Sequence, residues 1–159
     1  MQNLPDSQLA LEPGVIDFSW GHPSADLLPA AALAEAAGAL LAARPADALG
    51  YGPAQGPGSL IAQIAARLGR IEGAAPPHNQ LMVTGGISGA LDMLCAQLSR
   101  PGDAVLVEAP TYHLALRVFR DRGLQIVAVP GDADGMQVDA AAATLRRLRA
   151  AGVRVAFLY

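Results

Sequence analysis

The sequence contains no lysine, so its 11 basic residues are all arginine. No side-chain primary amine is available for covalent chemistry on a carbonyl group. It has a single cysteine, Cys95, which excludes an internal disulfide. Cys95 falls on the apolar side of a predicted helix, as expected of a small core residue in a reducing, cytoplasmic compartment. Charge is also sparse, with 16% charged residues and a formal net charge of -3. Without a clustered basic face, the chain is not expected to bind nucleic acid. Long apolar runs are few. Leu27 to Ala43 is apolar but alanine-rich, and it carries Pro29 and Glu35, which predicts a soluble helix and no membrane span. Asp6 and Glu12, with no basic segment leading into an apolar run, do not resemble a secretory signal.

What is present is apolar and patterned. The 159 residues are 52% hydrophobic, enough for one domain with a sizeable core. The central stretch is Leu81-Met82-Val83-Thr84-Gly85-Gly86-Ile87-Ser88-Gly89-Ala90-Leu91-Asp92, read as a buried strand passing through a glycine turn into a helix. Amides in the first turn of a helix have no internal partners, and the helix dipole adds positive potential there, so the junction suits a phosphate. Gly85, Gly86 and Gly89 allow close approach to the backbone, and the Ser88 hydroxyl can donate a further hydrogen bond. The same glycines would also serve a tight turn with no ligand.

Before this stretch, residues 1–19 read as an extended arm ending in Val15-Ile16-Asp17-Phe18, followed by a turn at Trp20-Gly21-His22-Pro23. Pro29 fits the first position of a helix ending by Arg44, with Leu33, Ala37, Leu40 and Leu41 on one face. Residues 46–58 read as a glycine- and proline-rich loop around Tyr51, a ring that acts there as an anchor or a contact. A helix over 59–70 follows, with Leu60, Ile64 and Leu68 as its buried stripe. Pro76-Pro77 closes this section.

Beyond the prolines, strands are predicted at 81–84, 104–107, 125–129 and 153–158. Helices are predicted at 86–99, with Ile87, Leu91, Leu94 and Leu98 inward, at 111–122, with Leu114, Val118 and Phe119, and at 138–151, with Leu145 and Leu148. This alternation implies βαβ units, a parallel sheet covered on both faces, and ligands at the carboxyl ends of the strands. Thr84 to Ser88 and Glu108-Ala-Pro-Thr-Tyr112 both lie at such ends. Tyr112 there either stacks on a flat heterocycle or packs on a neighbouring loop. His22, His78 and His113 are read as structural, and Arg146, Arg147 and Arg149 as a solvated face completing a helix end.

The chain resembles the amino-terminal part of a fold-type-I, pyridoxal-phosphate-dependent aminotransferase of class I/II, in particular the 2-aminoadipate aminotransferase group and the aminotransferase-like domains of MocR-type regulators. The residues that carry the likeness are Gly21-x-Pro23 with Leu28-Pro29, Tyr51-Gly52 with Gln55-Gly56, Thr84-x-Gly86 leading to Ala90-Leu91-Asp92, and Pro101-Gly102-Asp103 through Glu108-x-Pro110-Thr111-Tyr112. The resemblance implies an α/β fold: an arm, helices and dimer-contact loop over 1–77, then the first four strands of a mainly parallel sheet over 78–159, incomplete at its carboxyl end. It implies pyridoxal 5'-phosphate as cofactor, with Gly86, Ile87 and Ser88 on its phosphate, Tyr112 on its ring, Tyr51 reaching the phosphate in a neighbouring subunit of a homodimer, and Gly21 beside the substrate carboxylate. The implied reaction moves an amino group from an amino acid to a 2-oxo acid.

The chain departs from the family pattern in two places. Ile87 stands where a polar residue is usual, offering only its N–H, and Leu60-Ile61 replaces a usual Leu-Arg pair. Val153 to Tyr159 reads as a buried strand cut short, and the resemblance implies that the Schiff-base lysine of the family lies beyond Tyr159. The polypeptide is therefore predicted to be inactive alone. The sequence admits two other readings. One is an effector-binding, non-catalytic domain of a transcription regulator. The other is a dinucleotide-binding module with Glu108 on a ribose, for which Thr84-x-Gly86-x-x-Gly89 lacks the first glycine of the fingerprint.

Overall fold

The computed structural model describes residues 14–16 and 21–159. It divides into two compact units, Met1–Gly52 and Pro53–Tyr159. Most of the expected arm and Trp20 of the turn after it lie outside the described residues.

In the first unit a 3₁₀ turn, Ala25–Leu27, precedes helix α1, Ala30–Ala43. Pro29 takes the cap position, one place before the first helical residue. The stretch Ala25–Ala43 has the length and the mean hydropathy, 1.5, of a membrane span. Leu28 and Pro29 interrupt it, however, and the 14 residues of α1 reach only about 21 Å against a hydrocarbon core of ~30 Å. The expected inward face of α1 is not covered within the described residues, where Leu33, Leu40 and Leu41 are exposed. Residues 46–58, expected as loop throughout, begin with helix α2, Pro45–Leu49. Pro45 presets the first helical φ, and Asp47 places a carboxylate in the first turn, 3.6 Å from Arg44.

The second unit opens with helix α3, Gly58–Glu72, which ends at Gly73 in the left-handed region. Its buried residues are Ile61 and Ala65, with Ile64 and Leu68 half-buried and Leu60 exposed. The inward face is thus rotated by one residue from the expected stripe. After the 3₁₀ turn His78–Gln80, residues 81–84 do not form the expected strand. They belong to no ladder among the described residues, and the Val83 N–H donates to the Gln55 carbonyl at 2.8 Å. An apolar run becomes a strand only where a second strand accepts its hydrogen bonds.

Helix α4, Ile87–Leu98, then leads through Pro101-Gly102-Asp103 into strand β1, Ala104–Ala109, helix α5, His113–Asp121, and strand β2, Gln125–Asp132. A two-residue strand β3, Gly135–Met136, turns back on β2, and helix α6, Val138–Ala150, precedes strand β4, Val155–Leu158. The sheet order is β3-β2-β1-β4. Strands β2 and β4 both run parallel to β1, while β3 pairs antiparallel with β2. The predicted parallel α/β arrangement is present. The short β3 was not anticipated, because two residues carry no periodicity.

Strand β1 is the centre of the core, and alternation along it sorts two faces. Val105 and Val107 pack with Cys95, Ala115, Phe119 and Leu124 on the side of α4 and α5. Ala104 and Leu106 pack with Val129, Ala141 and Leu148 on the side of α6. Cys95 is fully buried, as expected. Helix α4 does not bury its whole expected stripe. Leu91 is half-buried, but Ile87 is 83% exposed, and Leu94 and Leu98 line an open apolar groove with Phe157, Leu158 and Tyr159.

Candidate functional site

The glycine turn is built as a helix entrance. Gly86 caps α4 with φ 91° and ψ 172°, a conformation that disfavours any side chain. The Thr84 hydroxyl donates to the Gly86 carbonyl at 3.3 Å, bracing the turn from within. The same carbonyl accepts from the Ala90 N–H at 3.1 Å, the first bond of the helix. The amides of Gly86, Ile87, Ser88 and Gly89 lie ahead of that bond, and no side chain caps this end. A Cβ added at Gly85, Gly86 or Gly89 would meet nothing within 4 Å. Backbone geometry therefore explains Gly86, while at Gly85 and Gly89 the protein itself leaves the volume open. The arrangement can accept a tetrahedral anion on backbone N–H groups and the exposed Ser88 hydroxyl.

Chain direction brings a second element to the same end of the sheet. Helix α4 ends where β1 starts, and α5 starts where β1 ends, so both helices run against β1 and both amino termini open at its carboxyl end. Tyr112 caps α5 and is 55% exposed. Its ring meets His113 edge-on, with centroids 5.4 Å apart and planes at 61°. His113 thus supports Tyr112, and the tyrosine keeps enough open surface to stack on a planar ligand. Glu108 turns toward the β2 backbone, where a Cβ on Gly131 would lie 2.8 Å from its Oε1.

Two arginine–carboxylate pairs, neither anticipated from sequence, fix this frame. Asp92 on α4 accepts from Arg122 after α5, with Nε to Oδ1 at 2.7 Å, which locks the two helices together. The hydrogen bonds from Arg122 hold the Asp92 carboxyl below its ordinary pKa and raise that of the guanidinium. Asp103 accepts from Arg154 Nη2 at 2.6 Å and from the Arg100 N–H at 2.7 Å. These bonds outweigh desolvation and lower the pKa of Asp103 as well. Burial pushes the Cys95 thiol up, and the nearby Asp92 carboxylate adds to the effect. Asp92 lies mid-helix and Asp103 just ahead of a strand, with their arginines 30 and 51 residues further along the chain, a signal too sparse to pair in advance.

The remaining sequence-predicted residues lie in the first unit. Tyr51 is fully exposed, and Gly21 is exposed, with open space where a side chain would be. Among the described residues no group of three or more His, Cys, Asp or Glu is placed to hold a metal ion.

Comparison with known proteins identifies the family and the fold. The family model of aminotransferase class I and II matches residues 13–159. A 2-aminoadipate transaminase of Thermus thermophilus is 33% identical over 142 residues, covering 89% of this chain and 34% of that protein. Among solved structures, an archaeal alanine:glyoxylate aminotransferase superposes with a TM-score of 0.80 at 36% identity, over 86% of this chain and 34% of its own. The α-aminoadipate aminotransferase LysN of Thermus thermophilus, solved with N-(5'-phosphopyridoxyl)-L-leucine, gives a TM-score of 0.77 at 32% identity, over 89% and 34%. The chain spans about a third of the length of the relatives it matches. With the glycine turn and Tyr112 at one end of a parallel sheet, and the family match running nearly end to end, the chain belongs to the class I and II aminotransferases.

Proposed function

We propose that this chain supplies the phosphate turn and the ring platform of a pyridoxal-phosphate-dependent aminotransferase, which moves an amino group from an amino acid to a 2-oxo acid. The observation that carries this reading is the open, glycine-lined start of α4, with its leading amides from Gly86 onward and Ser88 exposed at the same sheet end as Tyr112. Pyridoxal phosphate, when bound, supplies an aldehyde and an electron-withdrawing ring that carries the amino group between the two substrates. The protein's own part is to hold and orient it. The N–H groups of Gly86, Ile87 and Ser88 and the Ser88 hydroxyl would bind the phosphate oxygens, where hydrogen bonds to an anion are about twice as strong as neutral ones. Tyr112 would lie against the ring and set its plane.

Ile87 contributes its amide alone, and its side chain points away from packing, being 83% exposed. The family resemblance gives Tyr51 a place on the phosphate held by a second subunit of a homodimer, and Gly21 a place beside the substrate carboxylate. On this reading these 159 residues bind the cofactor without turning it over, because they contain no lysine amine to hold the aldehyde and carry the substrate proton. The test compares binding of pyridoxal phosphate and pyridoxal by equilibrium dialysis. A clear preference for the phosphorylated form, reduced in S88A, supports the reading, and equal affinities refute it. The absence of lysine helps here, since only the terminal amine can react with the aldehyde.

A further inference from the structure

The segment that delivers the glycine turn, residues 81–84, has no strand beside it among the described residues, yet its position is defined. The loop before α3 holds it. Gly56 closes a turn by donating its N–H to the Pro53 carbonyl at 2.9 Å, and Gln55 then points its carbonyl at the Val83 N–H, 2.8 Å away. The Gln55 side chain adds a bond from Nε2 to the Asn79 carbonyl at 3.4 Å.

Gly56 makes this approach possible for two independent reasons. Its φ of 108° lies where L side chains are rarely found. A Cβ placed on it would also stand 2.9 Å from Val83 Cβ and 3.1 Å from Val83 Cγ2, closer than carbon atoms pack. Val83 is followed by Thr84, whose hydroxyl braces Gly86. A continuous path of contacts therefore runs from Gly56 through Val83 and Thr84 to the cap of α4.

We propose that Gly56 is a positioning residue for the phosphate turn: by clasping Val83 against the Gln55–Gly56 backbone it fixes where the amides of Gly86 to Ser88 point. The proposal rests on reading that turn as the phosphate site. It assigns a role to a glycine some thirty residues away that itself touches no ligand.

The experiment uses the full chain, wild type and G56A, with two readouts. The first is the ratio of pyridoxal phosphate to pyridoxal affinity. G56A is expected to lower it about tenfold, the scale of one misplaced charge-assisted hydrogen bond, with pyridoxal affinity unchanged. A purely structural glycine would lower stability and leave the ratio alone, and that result overturns the proposal. The second readout is amide exchange of Val83 without ligand, which needs no substitution. The Val83 amide is expected to be protected in the wild type and to exchange faster in G56A. An unprotected Val83 amide in the wild type overturns the proposal even if G56A does not fold. If the wild type shows no preference for the phosphorylated form, the phosphate reading fails and this proposal with it. A preserved preference in G56A removes the proposal alone.

Discussion

Arg154 Nη2 lies 2.6 Å from Asp103 Oδ2 and 2.9 Å from the Leu98 carbonyl, so one guanidinium joins the entrance of β4 to the entrance of β1 and to the last turn of α4. The backbone reinforces the link, with the Ala104 N–H donating to the Arg154 carbonyl at 2.8 Å. Asp103 is the one buried charged residue among those described, and every bond its carboxylate accepts comes from Arg100 or Arg154 at this corner.

The pair predicts a pH dependence with a definite sign. Asp103 has a lowered pKa in the folded chain, so between that value and the unfolded one, about 3.9, the unfolded chain binds more protons and stability rises with pH. The contribution is complete above about pH 4 and is lost as the pH falls through the folded value. Asp92 acts in the same sense. Urea midpoints at pH 7 and pH 3 should differ more for the wild type than for D103N, and equal losses would contradict the assignment.

Phe119 is fully buried between β1 and the ring edges of Phe157 and Tyr159, with centroids 5.8 and 5.2 Å away. F119A should cost about 3–5 kcal/mol, through lost burial and the cavity left behind. Urea unfolding followed by circular dichroism measures this, and a loss under 1 kcal/mol would mean that the core closes around the gap.

Ser88 offers the one side-chain donor at the start of α4. Its replacement in S88A should weaken pyridoxal phosphate binding by about 1.5–3 kcal/mol, the usual worth of a hydrogen bond to a charged group. Stability should change little, because the side chain is exposed. Dialysis and thermal unfolding on the same samples separate the two effects.

Tyr112 should act through its ring and not its hydroxyl. Y112F is expected to retain cofactor affinity, whereas Y112A should lose about 0.5–1.5 kcal/mol of stacking. If Y112F weakens binding as much as Y112A, the hydroxyl and not the ring face is the contact.

Much of the sheet was legible because its strands are short apolar runs rich in β-branched residues, with β1 buried on both faces and β2 only in part. Ala104 to Val107 and Gln125 to Val129 fell where expected for that reason. The pattern at 81–84 is of the same kind and misled, since a sequence shows that a segment is apolar without showing whether a neighbour accepts its hydrogen bonds. Helix α3 was placed correctly and turned wrongly. Leu60, Ile61, Ile64, Ala65 and Leu68 form a broad apolar band, and only contact with other elements selects Ile61 and Ala65 as its centre. The candidate site was legible as a motif at Gly85 to Ser88 and at Tyr112. Its supports, Thr84 on Gly86, Gly56 against Val83 and Asp92 on Arg122, join residues two to thirty positions apart and needed the fold to be seen.

The burial of Cys95 makes the chain its own gauge of breathing. It is the only thiol, it has no solvent exposure, and its pKa is raised, so a thiol reagent reacts only while α4 lifts from β1. The labelling rate is then the rate for an open thiol multiplied by the fraction of molecules open, which converts directly to the free energy of that local opening. Measured with and without an anion at the start of α4, the same rate reports at residue 95 on an event at residue 88.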